Sequence, residues 1–164
     1  MKTYSTMDVI IVNKRSKKSL VGYKVVDVTR PSVFSPFYPH EFYFHGYSTK
    51  TVEGLWQGLK YIEGKGIDPN KLGNTTMKNI KRSGKVLYHE FNSQRLGYIQ
   101  ARKEIYIPLY NMQLDRCEEY INELRKHTKI ALLDYDTNED VENTHKPLSH
   151  ASLIKKRLLI SRPL

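Results

Sequence analysis

Apolar positions along the chain alternate between two periods. Residues 8–12 and 22–28 are short runs rich in Val and Ile, which predicts strands. The cationic link between them (Lys14, Arg15, Lys17, Lys18) reads as a solvated turn, so the two strands can form a hairpin. Residues 31–39 hold three prolines and cannot be helical. Residues 41–47, with Phe42, Tyr43, Phe44 and Tyr47, predict a third strand. The period then becomes helical. Val52, Leu55, Trp56, Leu59 and Ile62 form one stripe of a helix expected over 51–63, capped by Ser48 or Thr49 and stopped by Gly64 and Gly66. Glu53, Gln57 and Lys60 follow at i, i+4 and i+7 and line up on a neighbouring face. Gly54 and Gly58 are poor helix formers, which is easier to explain if something approaches this helix closely.

Beyond residue 66 the pattern predicts a polar, basic, loop-rich insertion over 68–84 and a strand over 85–91. A helix over 93–105 is expected to end before Pro108, and a second helix covers 112–127. A short buried strand at 130–133 leads into an acidic, turn-forming stretch at 134–143. Pro147 and Ser149 open a last helix through Leu159, and residues 161–164 read as a frayed tail. Strands and helices do not alternate as βαβ units, so the fold class is α+β, in one domain over residues 1–164 with helices packed on a small sheet.

Charge adds a partner to this picture. Residues 1–110 hold 18 Lys and Arg against 8 Asp and Glu, a net of +10, whereas residues 111–164 hold 9 of each, a net of 0. The excess lies in the part that carries the Glu53 helix, and a basic surface there would attract phosphates or a nucleic acid strand. No apolar run approaches the roughly 18 residues of a membrane span, and residues 1–7 are too polar for a signal peptide, so a cytoplasmic protein is expected. The single Cys117 lies with Leu114, Ile121 and Leu124 at helical spacing and reads as a buried, inert thiol in a reducing compartment. No metal-ligand cluster is evident among the six histidines, since His40 and His45 flank a strand and point to opposite faces. Serine-hydrolase, P-loop and dinucleotide-binding signatures are absent as well.

The segment Phe34-Ser35-Pro36-Phe37-Tyr38-Pro39, followed by Val52-Glu53, Gln57 and Lys60, resembles the NADAR family, named for NAD and ADP-ribose. There an F-S-x-F-Y-P-like loop precedes a helix with S-V-E-H-x-[YF]-Q-x-x-K. In this chain Thr51 replaces the serine, Gly54 the histidine and Trp56 the aromatic residue. The match covers residues 31–62. The family's later D-x-x-W-G signature is absent, because Trp56 is the only tryptophan, and this points to a divergent, phage-type branch. Residues 101–108, 133–138 and 147–151 look like further motifs that the better-known pattern does not assign.

The resemblance implies N-glycoside hydrolysis with ADP-ribose as ligand or product and no cofactor. Similar proteins release ADP-ribose from guanine bases of nucleic acid, and others cleave phosphoribosylated riboflavin precursors. Stretching a ribosyl–nitrogen bond builds positive charge on the sugar, and a fixed carboxylate can stabilise it or orient water. Glu53 and Lys60 are the catalytic candidates. Lys60 would bind a phosphate or ribose oxygen or, with its pKa lowered by burial, attack the ring-opened sugar. Gln57 would hold the ligand or Glu53, and Phe37, Tyr38 and Trp56 offer stacking faces. Arg102 and Arg95 are candidate pyrophosphate contacts, Asp134 and Asn138 follow a buried strand, and His150 lies at a helix start.

Each residue also has a plain structural reading. Glu53 can complement a helix dipole or form an exposed ion pair with Lys60, Trp56 can be core, and Phe37 and Tyr38 can anchor a loop. Asp134 and Asn138 can be turn residues, and Ser149 an N-cap rather than a nucleophile. The runner-up functions are a phosphoribosyl-aminopyrimidine N-glycosidase, a non-catalytic module binding nucleic acid or ADP-ribose, and a small basic protein with a protein partner.

Overall fold

The computed structural model describes residues 7–160; the tail at 161–164 lies outside the described residues. The chain runs through strands β1 (Asp8–Asn13), β2 (Lys24–Asp27), β3 (Phe42–Phe44) and β4 (Tyr47–Thr49), then helix α1 (Val52–Gly58) and strand β5 (Lys60–Ile62). A 3-10 turn (Pro69–Gly73) precedes β6 (Val86–Phe91) and β7 (Gln94–Leu96). Helices α2 (Tyr98–Ala101), α3 (Ile107–Arg116) and α4 (Glu118–Leu124), strand β8 (Lys129–Asp134) and helix α5 (His150–Leu159) complete an α+β fold. Among the described residues no helix is long and apolar enough to cross a membrane. They group into two compact units, one from residues 7–35 with 114–160 and the other from Pro36–Gln113.

In the first unit, β1 and β2 do not form the expected hairpin. Both pair in parallel with β8, which lies between them, with Asp8 opposite Lys129 and Lys24 opposite Ile130. The reason lies in β8: Ile130, Ala131 and Leu132 are fully buried, a continuous apolar run that suits a central parallel strand. The link after β1 must therefore cross the sheet. It is anchored by Lys14, whose ammonium bridges to Asp27 at 2.8 Å and bonds to the Thr29 hydroxyl, so this charge is not freely solvated. Helix α5 packs on β1 and β8 and also meets α4. Cys117 is buried, with its thiol pKa raised by that burial, and its Sγ faces the Val33 carbonyl.

The second unit departs from the sequence pattern at four points. The strand expected over 41–47 is a hairpin, because His45 (φ 46°) and Gly46 (φ 88°) take the paired positive φ of a tight two-residue turn. Asn92 (φ 47°) and Ser93 (φ 66°) make a similar turn between β6 and β7, where a helix start was expected. Helix α1 ends at Gly58 instead of running to residue 63, and its N-cap is Thr51, whose side chain accepts from the Gly54 N–H. Residues 60–62 instead pair with β6, and Arg82 holds the exit by donating to the carbonyls of Gln57, Lys60 and Gly66. Finally, Pro108 does not stop a helix. A π-helical turn (Arg102–Tyr106), with the Ile107 N–H reaching the Arg102 carbonyl, carries α2 into α3 past it.

The expectation of a close approach to α1 is met by the chain itself. The 3-10 turn packs against α1, and a Cβ at Gly54 would lie 2.6 Å from the Lys71 carbonyl oxygen. A Cβ at Gly58 would lie 2.9 Å from the Asp68 carbonyl oxygen. Alanine normally gains about 1 kcal/mol over glycine inside a helix. Gly54→Ala is expected to lose about 1–3 kcal/mol instead, because backbone must move, and urea unfolding measures the sign.

Candidate ligand-binding site

The site grows from α1. The Glu53 N–H donates to the Pro36 carbonyl at 3.0 Å, which ties the proline-rich loop to the first turn of the helix. The two pieces that carried the family resemblance thus meet at Glu53. Phe37 and Tyr38 are half-buried in that loop, and Tyr38 packs against His40 with centroids 4.9 Å apart. One turn on from Glu53, Gln57 donates from Nε2 to Glu53 Oε1 at 2.8 Å. This is the helical i, i+4 geometry that the sequence anticipates. The bond also fixes the amide orientation, since only a nitrogen can donate to a carboxylate. Among the described residues, the other carboxylate oxygen has no hydrogen bond.

Lys60 reaches this cluster from β5 rather than from the helix, which corrects the expected i+7 stack. Its ammonium has neither a hydrogen bond nor an ion pair among the described residues. Burial lowers its pKa below the ordinary lysine range; Glu53 opposes that shift, and Lys81 and Arg82 add to it. A half-buried ammonium without a direct partner among the described residues suits an incoming oxygen, and its lowered pKa favours the neutral amine that attack on a carbonyl carbon requires.

His89 completes the cluster and is the residue that sequence reasoning missed. It lies opposite Lys60 in the antiparallel pairing of β5 with β6, so both side chains project from one face of the sheet. Its ring is 2% exposed and packs on Trp56 with centroids 4.1 Å apart. Burial first, and the Lys60 charge second, push its pKa down to about 3, against a hydrogen bond with the Trp56 backbone. The ring is therefore neutral near pH 7. With residue 60 read as helical, no spacing rule leads to residue 89. The available signal was the alternation of 85–91 as a strand facing a second strand.

Trp56 itself is 8% exposed and contacts Tyr106 and Tyr98, so it serves as core at least as much as platform. Arg102 is 1% exposed in the same unit, with its guanidinium 4.3 Å from the centre of the Tyr98 ring. Arg95 is exposed and lies over Tyr88.

The remaining predicted residues form a constellation in the first unit, at the carboxyl end of β8. Asp134 Oδ1 accepts from the Tyr135 N–H, and Oδ2 accepts from Ser149 Oγ at 2.7 Å. His150 Nδ1 lies 3.3 Å from the same Oδ2, and its Nε2 lies 2.7 Å from the Val28 carbonyl. Ser149 occupies the N-cap position of α5, but its hydroxyl turns to Asp134 and makes no cap bond. Serine, histidine and aspartate are thus together without a serine–histidine bond, so this is not the wiring of a nucleophilic triad. Asn138 lies in the following loop, with its carboxamide on Asp140 and its backbone carbonyl accepting from the Ser149 N–H. Among the described residues no three His, Cys, Asp or Glu side chains gather as they would around a metal ion.

His89 gives the site a pH signature. Its unfolded pKa is near 6.5 and its folded pKa about 3, so between those values the unfolded chain binds the extra proton. Its contribution to stability is therefore fully present above pH 6.5 and is lost as the pH falls towards 3. Native protein is expected to lose about 2–3 kcal/mol more than His89→Phe between pH 7.5 and 4.5. Urea unfolding at the two pH values checks this, and equal losses would contradict it.

Fold and site together define an α+β protein with an amide-held carboxylate on α1 and, opposite each other on β5 and β6, a lysine in electrostatic reach of that carboxylate and a neutral histidine. The chain belongs to DUF6939, a family of unknown function, and the match spans residues 11–154. No match was found among curated proteins.

Proposed function

We propose that the chain is an N-glycosidase that hydrolyses the bond between an ADP-ribosyl group and a guanine base of nucleic acid. The observation that carries this reading is the held Glu53 carboxylate, with one oxygen on Gln57 and the other uncommitted among the described residues, within electrostatic range of a Lys60 ammonium that has no hydrogen bond or ion pair among them. In this reading the C1′–N bond lengthens, positive charge develops on the ribose, and the free Glu53 oxygen stabilises it and orients water. The electron pair of the breaking bond leaves with the base, which takes up a proton from solvent, and the water oxygen bonds to C1′ as the water gives a proton to Glu53. Lys60 holds a ribose or phosphate oxygen. Gln57 keeps Glu53 in place, and Phe37 and Tyr38 stack on the ligand from the loop fixed to Glu53.

The net charge of +10 in residues 1–110 favours a polyanionic substrate over a free metabolite. A substrate panel tests this choice. Guanine-ADP-ribosylated oligonucleotide and a phosphoribosylated aminopyrimidine are incubated side by side with the native chain, and only the first is expected to turn over. Turnover of the second alone would assign the metabolite instead. Salt-sensitive oligonucleotide binding without turnover, unaffected by Glu53→Ala, would assign a binding module.

A further inference from the structure

Buried polar atoms in folded proteins are almost always hydrogen-bonded, so each exception asks what partner is missing. Two such exceptions fall in one cluster. Among the described residues, Gln57 Oε1 is buried without a hydrogen-bond partner, and so is His89 Nε2. Their side chains are 5% and 2% exposed, so bulk water does not satisfy them. They are linked through Lys60, which lies opposite His89 in the β5–β6 pairing and within electrostatic range of the Glu53 carboxylate that Gln57 holds.

Both atoms are acceptors. The Gln57 amide nitrogen is committed to Glu53, which leaves only its carbonyl oxygen. The His89 hydrogen bond to the Trp56 backbone falls to Nδ1, because Nε2 has no partner, so the neutral ring presents a bare lone pair at Nε2. Two acceptors call for donors on the ligand and repel phosphate oxygens. Lys60 lies opposite His89 with its positive charge, which disfavours a cationic donor such as an ammonium. The chemistry left is a neutral group with donors and acceptors side by side, and a vicinal diol is such a group.

We propose that His89 is a specificity-determining residue whose Nε2, with the carbonyl of Gln57, accepts hydrogen bonds from the ribose hydroxyls of the ligand while Lys60 faces the sugar oxygens. This rests on the N-glycosidase reading and assigns the sugar end of its substrate to the β5–β6 face. It also gives His89 a role other than acid–base catalysis.

The test uses the full chain and two probes, ADP-ribose and ADP, which lacks the terminal ribose. Calorimetric affinities are measured for native protein, His89→Phe and His89→Gln. Phenylalanine keeps a ring against Trp56 without an acceptor, and glutamine restores an acceptor near Nε2. His89→Phe is expected to weaken ADP-ribose binding about 10-fold and leave ADP unchanged, with His89→Gln recovering most of the loss. In nitrogen-15 spectra of native protein the unprotonated His89 Nε2 resonance is expected to shift on saturation with ADP-ribose. If native protein binds ADP-ribose while Nε2 does not move, or His89→Phe keeps native affinity, the diol subsite is overturned and the N-glycosidase reading stands. An equal loss of both ligands in His89→Phe also overturns it. If native protein binds no ADP-ribose, the N-glycosidase reading falls and takes the subsite with it.

Discussion

Glu53→Gln is expected to slow ADP-ribose release by about 10³-fold or more while leaving the fold intact. The substitution keeps the shape of the side chain and removes the negative charge that opposes charge build-up on the ribose. Glu53 is half-buried in the first turn of α1, and among the described residues its side chain bonds only to Gln57, so little structure depends on the charge. Stability is expected to change by less than about 1 kcal/mol, which separates a chemical role from a structural one. Gln57→Leu should give a smaller loss, about 10-fold, because it frees the carboxylate without removing it. Lys60→Met should lower release by about 10²-fold. Single-turnover release with labelled oligonucleotide, paired with urea unfolding of each variant, measures both axes. A Glu53→Gln protein that turns over at the native rate would move the chemistry elsewhere.

The second large effect is expected in stability and at the other constellation. Asp134→Ala should cost about 3–5 kcal/mol. The carboxylate receives the Tyr135 N–H and the Ser149 hydroxyl and lies against His150 Nδ1, and Asp134, Ser149 and His150 are all buried. Removing it leaves the buried Ser149 hydroxyl without its acceptor and opens a cavity against His150. Ser149→Ala removes one partner and should cost about 1–2 kcal/mol. Because the pair shares one bond, the double variant should fall short of the sum of the singles. A change below about 1 kcal/mol in Asp134→Ala would show that the network is not what holds the carboxyl end of β8.

These two sites differ in how far the sequence reveals them. Glu53 and Gln57 are legible because one helical turn separates them, and α1 forms where the apolar period predicts it. Lys60 is legible as a residue type but not in its place. The i+7 spacing assumes a helix that Gly58 and the pairing with β6 end two residues earlier. The relation of His89 to Lys60 is hidden for the same reason, since it exists only across two strands, one of which, β5, lies where a helix was expected. The α+β class and seven of the strand and helix regions follow from periodicity. The order β1–β8–β2 does not, because local pattern favours a hairpin and only the fully apolar β8 shows that a central strand is needed. The β6–β7 turn and the passage of a helix through Pro108 escape prediction because positive φ at Asn92 and Ser93, and a π-helical turn before the proline, override the propensities of the residues involved.

The central claim is that the Glu53 cluster breaks a ribosyl–nitrogen bond. The most direct measurement is mass spectrometry of a guanine-ADP-ribosylated oligonucleotide after incubation with native protein and with Glu53→Gln. Free ADP-ribose and an oligonucleotide with its guanine restored are expected for the native chain, and neither for the variant. An oligonucleotide that keeps its ADP-ribose with native protein, or one restored equally by both proteins, would contradict that claim.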